Sequence, residues 1–168
     1  MNTTMMSRRT YVSTTLVAAV TAAAAATLSQ SLALPVWAMF IGWIAFYTRG
    51  LHLRAAIENL ACVGVGLVVG LMATLALQAL SGGVAAGVAL PIVVLCVAIL
   101  VVSLRGLPVM GNLLGYFLGL VAWFAAHLEP SFESVARLFG AGALGSSAGW
   151  ISHTVSMRFS RASARHAH

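Results

Sequence analysis

The sequence predicts an all-α polytopic membrane protein with six transmembrane helices, and three observations carry that reading. Hydrophobic residues make up 61% of the 168 positions and charged ones only 7%, against roughly 25% charged in a soluble domain, and mean hydropathy is +0.99. Six apolar stretches, at about 11–32, 34–48, 53–80, 83–104, 107–127 and 134–157, follow one another with only short connections between them. All nine cations are Arg, and eight of them fall in the connections and ends that would lie on one side of a membrane. Lys and Asp are absent, and the three acids are Glu58, Glu129 and Glu133.

Lipid offers no hydrogen-bond partner to a backbone, so each stretch that spans ~30 Å of hydrocarbon must be helical, which takes ~20 residues. Residues 1–10 form a short N-terminal segment with Arg8 and Arg9 ahead of helix one. Because SRRTYVS precedes an apolar run, helix one also reads as a signal sequence, with Ser31-Leu32-Ala33 as a cleavage site. Removing it would leave five spans and set the Arg-rich loops against the Arg-rich tail, so retention is expected. The run Ala22–Ala26 is only weakly apolar, which predicts that helix one leans on protein neighbours.

Helices one and two meet at SQSLALP, three and four at SGG, and five and six at HLEPSFES, where Pro130 and Glu133 suit a turn and a helix start. One domain is therefore expected over 11–157, with a basic cytoplasmic tail over 158–168. Arg49 and Arg54 separate helices two and three, Arg105 separates four and five, and Arg158, Arg161 and Arg165 follow six, so both termini are expected in the cytoplasm. Only Arg137 lies opposite, near Glu129 and Glu133. The +6 charge is this one-sided Arg pattern and a tail that can rest on anionic headgroups; it is not a nucleic-acid signal.

LPVWAMFIGW at 34–43 and LPVMGNLLGY at 107–116 share Leu-Pro-Val, a Gly seven residues after the Pro, and an aromatic directly behind that Gly. Both copies open the second helix of a triplet, with Pro35 and Pro108 in the first turn, where a missing N–H is harmless. Units of three spans enter the membrane from opposite sides, so the halves 11–80 and 83–157 read as an inverted-topology repeat. Chance is the competing explanation, since the halves align poorly elsewhere. Helix two is short, at ~22 Å, and a short span at a repeat position points to a binding or permeation region. Its alternative is a continuation into the interface, anchored by Trp37, Trp43 and Tyr47.

Small residues supply packing: Gly111, Gly115 and Gly119 on helix five, Gly66 and Gly70 on helix three, and Gly142, Ser146 and Gly149 on helix six. Tight internal packing is the plain reading, a homo-oligomer interface or a carbonyl-lined pore the other. Polar residues within the spans are few. Glu58, Asn59, Asn112 and His153 all fall near the cytoplasmic end and form a candidate polar vestibule. The structural alternative is concrete: Arg54 and Glu58 pair at i,i+4, the asparagines act as interhelical glue, and His153 snorkels. His127, Glu129 and Glu133 form a more exposed outer group.

No enzyme chemistry is expected. GSSAG at 145–149 matches G-x-S-x-G formally, but Ser147 lies mid-helix, and His153 is six residues on, about 240° around, out of reach as its base. Cys62 and Cys96 stand alone in separate spans and His166-x-His168 is a tail, so neither metal nor cofactor is expected.

The run LPVWAMFIGWIAFYTRG, the Gly-rich third helix after it and the small-residue fifth helix resemble the bacterial inner-membrane family catalogued as domain of unknown function 1097 (DUF1097), over roughly 15–155. The resemblance implies a compact multi-pass inner-membrane protein, supports retaining helix one, and brings no catalytic or ligand residues. The residues favour a channel or transporter for a small neutral or weakly charged solute; the alternative is a non-transporting structural or accessory membrane protein. The expected partners are the lipid bilayer and a second copy of the chain.

Overall fold

The computed structural model describes residues 8–81, 83 and 87–165, and among these the chain is all α, with no strand. In chain order the helices are α1 (Arg8–Ser31), α2 (Val36–Thr48), α3 (Leu53–Leu80), α4 (Ala89–Leu104), α5 (Leu113–Ala126) and α6 (Phe132–Arg165). Most of the N-terminal segment, part of the SGG turn, and His166 and His168 lie outside the described residues. Thr10–Ser31 and Leu53–Leu80 are long and apolar enough to cross a membrane, while α2, α4 and α5 are shorter apolar helices.

Three boundaries differ from the sequence reading. The fourth helix begins at Ala89, not near 83, which puts Pro91 in its first turn, where no intrahelical N–H is required. The sixth continues to Arg165, past 157, because no Gly or Pro interrupts RFSRASAR. Most consequential is the fifth, which starts at Leu113, so Pro108 stands in the loop ahead of it and not in a first turn. Asn112 is the N-cap of α5, its Oδ1 accepting from Gly115 N at 3.2 Å. Gly111 accordingly belongs to the loop and not to a packing stripe; a Cβ there would crowd the carbonyl oxygens of Leu107 and Arg105 at 2.8 and 2.9 Å. His127, in the left-handed conformation at φ 49°, ends the helix.

Two helices are therefore short, α2 with 13 residues and α5 with 14, or ~20 Å each at 1.5 Å per residue. α2 packs chiefly on α6 and α5 on α3; α1 packs on α6 and α4 on α3; α1 also touches α2, as α4 touches α5. Two interleaved units result, α1–α2–α6 and α3–α4–α5, each holding one helix from the other half of the chain. They meet along a seam where α3 faces α6 and α2 faces α3 and α5.

Inside the units several glycines bring backbone against backbone. A Cβ on Gly42 would overlap the Gly142 backbone, one on Gly145 would overlap the Met39 carbonyl, and one on Gly66 would overlap the Tyr116 carbonyl. Gly119 lies against Val63 O and Gly66 Cα, Gly115 against the Cys62 Cβ, Gly70 against the Trp123 ring and Gly149 against Phe46. These stripes are thus filled within the chain. A buried cluster around Met39, Ala45, Val63, Leu67, Leu138 and Ala141 spans the seam, and a second, with Cys62, Val101, Tyr116 and Leu120, lies between α3, α4 and α5 beside an apolar cleft of about 450 Å³. Outward faces are strongly apolar: Leu16, Val20, Met72, Leu95 and Ile99 are each about 60% exposed, a surface that water does not favour.

Candidate functional site

The α2–α3 connection and the loop before α5 meet at one end of the bundle, and there the structure brings together three of the four sequence candidates, Glu58, Asn59 and Asn112. Asn59 is fully buried and Asn112 nearly so. The amide of Asn112 is oriented by its cap: Oδ1 accepts from Gly115 N, so Nδ2 faces inward and donates to Asn59 Oδ1 at 2.8 Å and to Thr48 Oγ1 at 2.6 Å. Thr48 spends its own proton on Ala45 O at 2.7 Å and so has only lone pairs to offer Asn112. Asn59 Nδ2 completes the chain by donating to Arg49 O at 2.8 Å.

Arg49 closes the rim of this network. Its guanidinium donates to Glu58 Oε2 at 3.0 Å and to Val109 O at 2.7 Å, while Arg54 Nε reaches Glu58 Oε1 at 2.9 Å. Tyr116, buried on α5, donates its hydroxyl to Met110 O at 2.6 Å, and the Cys62 thiol points at the same oxygen at 3.6 Å. His52 caps α3 by accepting from Ala55 N. Among the described residues no buried side-chain nitrogen or oxygen lacks a partner. Leaving one such group orphaned costs about 1–3 kcal/mol, so the cluster is mutually dependent.

His153, the fourth candidate, sits apart. Its ring lies 6.0 Å from the Phe46 ring on the α2–α6 side, and among the described residues no hydrogen bond joins it to the asparagine pair. Because α6 runs on to Arg165, His153 is about three turns from the helix end, not one. Ser147, in the G-x-S-x-G match, donates to Ala143 O within its own helix at 2.8 Å.

The opposite end, where the α1–α2 and α5–α6 connections meet, is built differently. Arg137 donates to Ala33 O at 2.8 Å, Ser29 to Leu34 O, and Ser134 to Glu129 O. His127, Glu129 and Glu133 are exposed there. A cavity of about 230 Å³ opens between Leu34, Pro35, Trp37, Arg137 and Leu138 on one side and Ala126 and Leu128 on the other.

Nothing local in the sequence marks Thr48, Arg49 and Tyr116 as site residues, or Gly145 as a packing position. The repeated Leu-Pro-Val motif held one signal, since Gly42 and Gly115 are its equivalent glycines and both lie at close helix crossings. The sequence model of a family described as Protein of unknown function (DUF1097) matches residues 13–156. No curated protein and no solved structure matches.

Proposed function

The chain belongs to the DUF1097 family, and from that premise we propose that it is a six-span protein of the bacterial inner membrane that passes a small neutral or weakly charged solute. In this reading both termini and the asparagine cluster face the cytoplasm, which the one-sided Arg distribution supports. The halves 11–80 and 83–157 are inverted copies. The observation that carries the proposal is the recurrence of packing under exchange of α1 with α4, α2 with α5 and α3 with α6: short α2 lies on long α6 as short α5 lies on long α3. Paired short helices at corresponding positions of two inverted halves are where transporters place their sites. α2 and α5 touch each other, and the Thr48–Asn112 hydrogen bond joins their ends. Buried polar groups among apolar helices are expensive and mark pathways by default.

The same reading assigns the chain no enzymatic step, no metal and no cofactor. A second reading, a structural or accessory membrane protein, is favoured by the complete pairing of the asparagine network, which suits a fastener as well as a path. Purified protein in proteoliposomes, assayed by swelling or flux across small neutral solutes and weak acids, separates the two. Transport predicts flux above empty vesicles that changes in Asn112→Leu and Glu58→Gln; leakage equal to empty vesicles for every solute supports the accessory role. Reporter tags on both ends test orientation independently, and their appearance on opposite faces would remove the inverted repeat.

A further inference from the structure

The two interleaved units are held internally and to each other by different kinds of contact. Within the units, glycines let the backbones of α2 and α6 and of α3 and α5 touch, as at Gly42 on Gly142 and Gly66 on Gly119, and such crossings have no side chain that can turn aside; α1 and α4 pack onto these pairs through side chains. Across the seam, Gly64 meets the ring of Phe139, and Gly142 meets Leu60 Cδ1 at 3.8 Å, which are side-chain contacts that can repack. Among the described residues, the side-chain hydrogen bonds that tie the α1–α2–α6 unit and its Arg49 extension to α3–α4–α5 all gather at one end: Thr48 with Asn112, Arg49 O with Asn59, and the Arg49 guanidinium with Glu58 and Val109 O. At the other end the bonds stay inside a unit, Arg137 to Ala33 in one and Trp123 Nε1 to Thr74 Oγ1 at 2.8 Å in the other, and the cavity lined by Trp37, Arg137 and Leu128 lies open between the units.

We propose that the Thr48–Asn112–Asn59 chain is a latch: it keeps the seam closed at its own end, and when it parts the two units separate there as intact bodies. Within the transport reading, on which its direction rests, this is the inner gate of a protein whose outer mouth is already open. Beneath the latch the seam is sealed by Val63 of α3 in the cluster shared with Met39 and Ala45 of α2 and Leu138 of α6. Water reaches Val63 only if the latch and the seam below it open. The asparagines are chosen for this task by chemistry, because an uncharged amide pair can exchange its partners for water at little cost, whereas a buried ion pair cannot.

The test is thiol labelling of the full-length chain in proteoliposomes, with Cys62→Ala and Cys96→Ala removing the native thiols and Val63→Cys as reporter. A membrane-impermeant maleimide should modify this position slowly when the latch is intact. Thr48→Val, nearly isosteric and leaving the α5 cap in place, should raise the rate at least tenfold, and Asn112→Ala at least as much. Thr74→Val removes a half-buried threonine hydroxyl of the same kind, which accepts from Trp123 Nε1 and donates to Gly70 O inside a unit at the far end, and should leave the rate unchanged. A rate in Thr48→Val no greater than in Thr74→Val overturns the latch, whether both stay low or both rise through general loosening. No solute enters this assay, so unchanged labelling refutes the latch while leaving transport to the flux measurement, and absent flux with accelerated labelling does the reverse.

Discussion

Gly64 and Gly66 stand two residues apart on α3, ~200° around the helix, and meet opposite kinds of neighbour. Gly66 lies on the backbone of α5, where a Cβ would strike the Tyr116 carbonyl; Gly64 faces the Phe139 ring of α6 across the seam. One face of α3 is thus fixed by main chain and the other is adjustable by side chain. The difference teaches how a small helical protein can be stiff in one direction, where backbone meets backbone, and compliant in another, where side chains meet.

Substitution at these two positions gives the largest expected contrast. Gly66→Ala has no room to relax and should lower stability by about 3 kcal/mol, the top of the usual overpacking range, seen as loss of folded protein by size exclusion or a large drop in thermal midpoint. Gly64→Ala meets Phe139 Cε2 at 2.9 Å, but that ring is 37% exposed and can turn outward, so it should cost under about 1 kcal/mol. Equal losses at both sites would erase the distinction between unit and seam. Next in size is Asn112→Leu, which strips the α5 cap and orphans Asn59 Oδ1; about 2 kcal/mol is expected. Thr48→Val removes the bond from Asn112 and the local one to Ala45 O, leaves the Asn112–Asn59 bond and the α5 cap in place, and should cost about 1 kcal/mol in the same thermal assay.

The two faces of α3 were only partly legible in the sequence. Its span, 53–80, follows directly from the apolar run, and the Arg54–Glu58 pair follows from i,i+4 spacing, because both are local. That Gly66 and Gly70 would take a neighbouring helix was also readable, but which helix was not, since partner choice is decided by contacts between distant parts of the chain. The start of α5 is not legible locally, because LPVMGNLLGY is apolar on either side of Asn112. Its cap role is visible only once Gly115 N is seen to point at Oδ1. Thr48 and Asn112 are 64 residues apart, and no periodicity links them. That α6 packs with α1 and α2, and α3 with α4 and α5, is likewise a property of the packing alone.

The last comparison concerns the rim, where Glu58 is shared by two arginines that look equivalent in sequence. The Arg54 side chain is 78% exposed and makes one helix-surface pair; Arg49 is half as exposed and also holds Val109 O, so its guanidinium spans the seam. Arg54→Ala should therefore change stability by no more than about 0.5 kcal/mol, the ordinary worth of an exposed i,i+4 pair, and the residual effect should vanish at ~1 M salt, where charges are screened beyond ~3 Å. Arg49→Ala loses a neutral acceptor as well as a charged one, so about 1 kcal/mol should survive high salt. Thermal midpoints of the two variants at low and high ionic strength measure this directly. If both arginines respond alike and lose their effect to salt, the Val109 contact contributes nothing, and the connection between the α2–α3 turn and the loop before α5 rests on the asparagines alone.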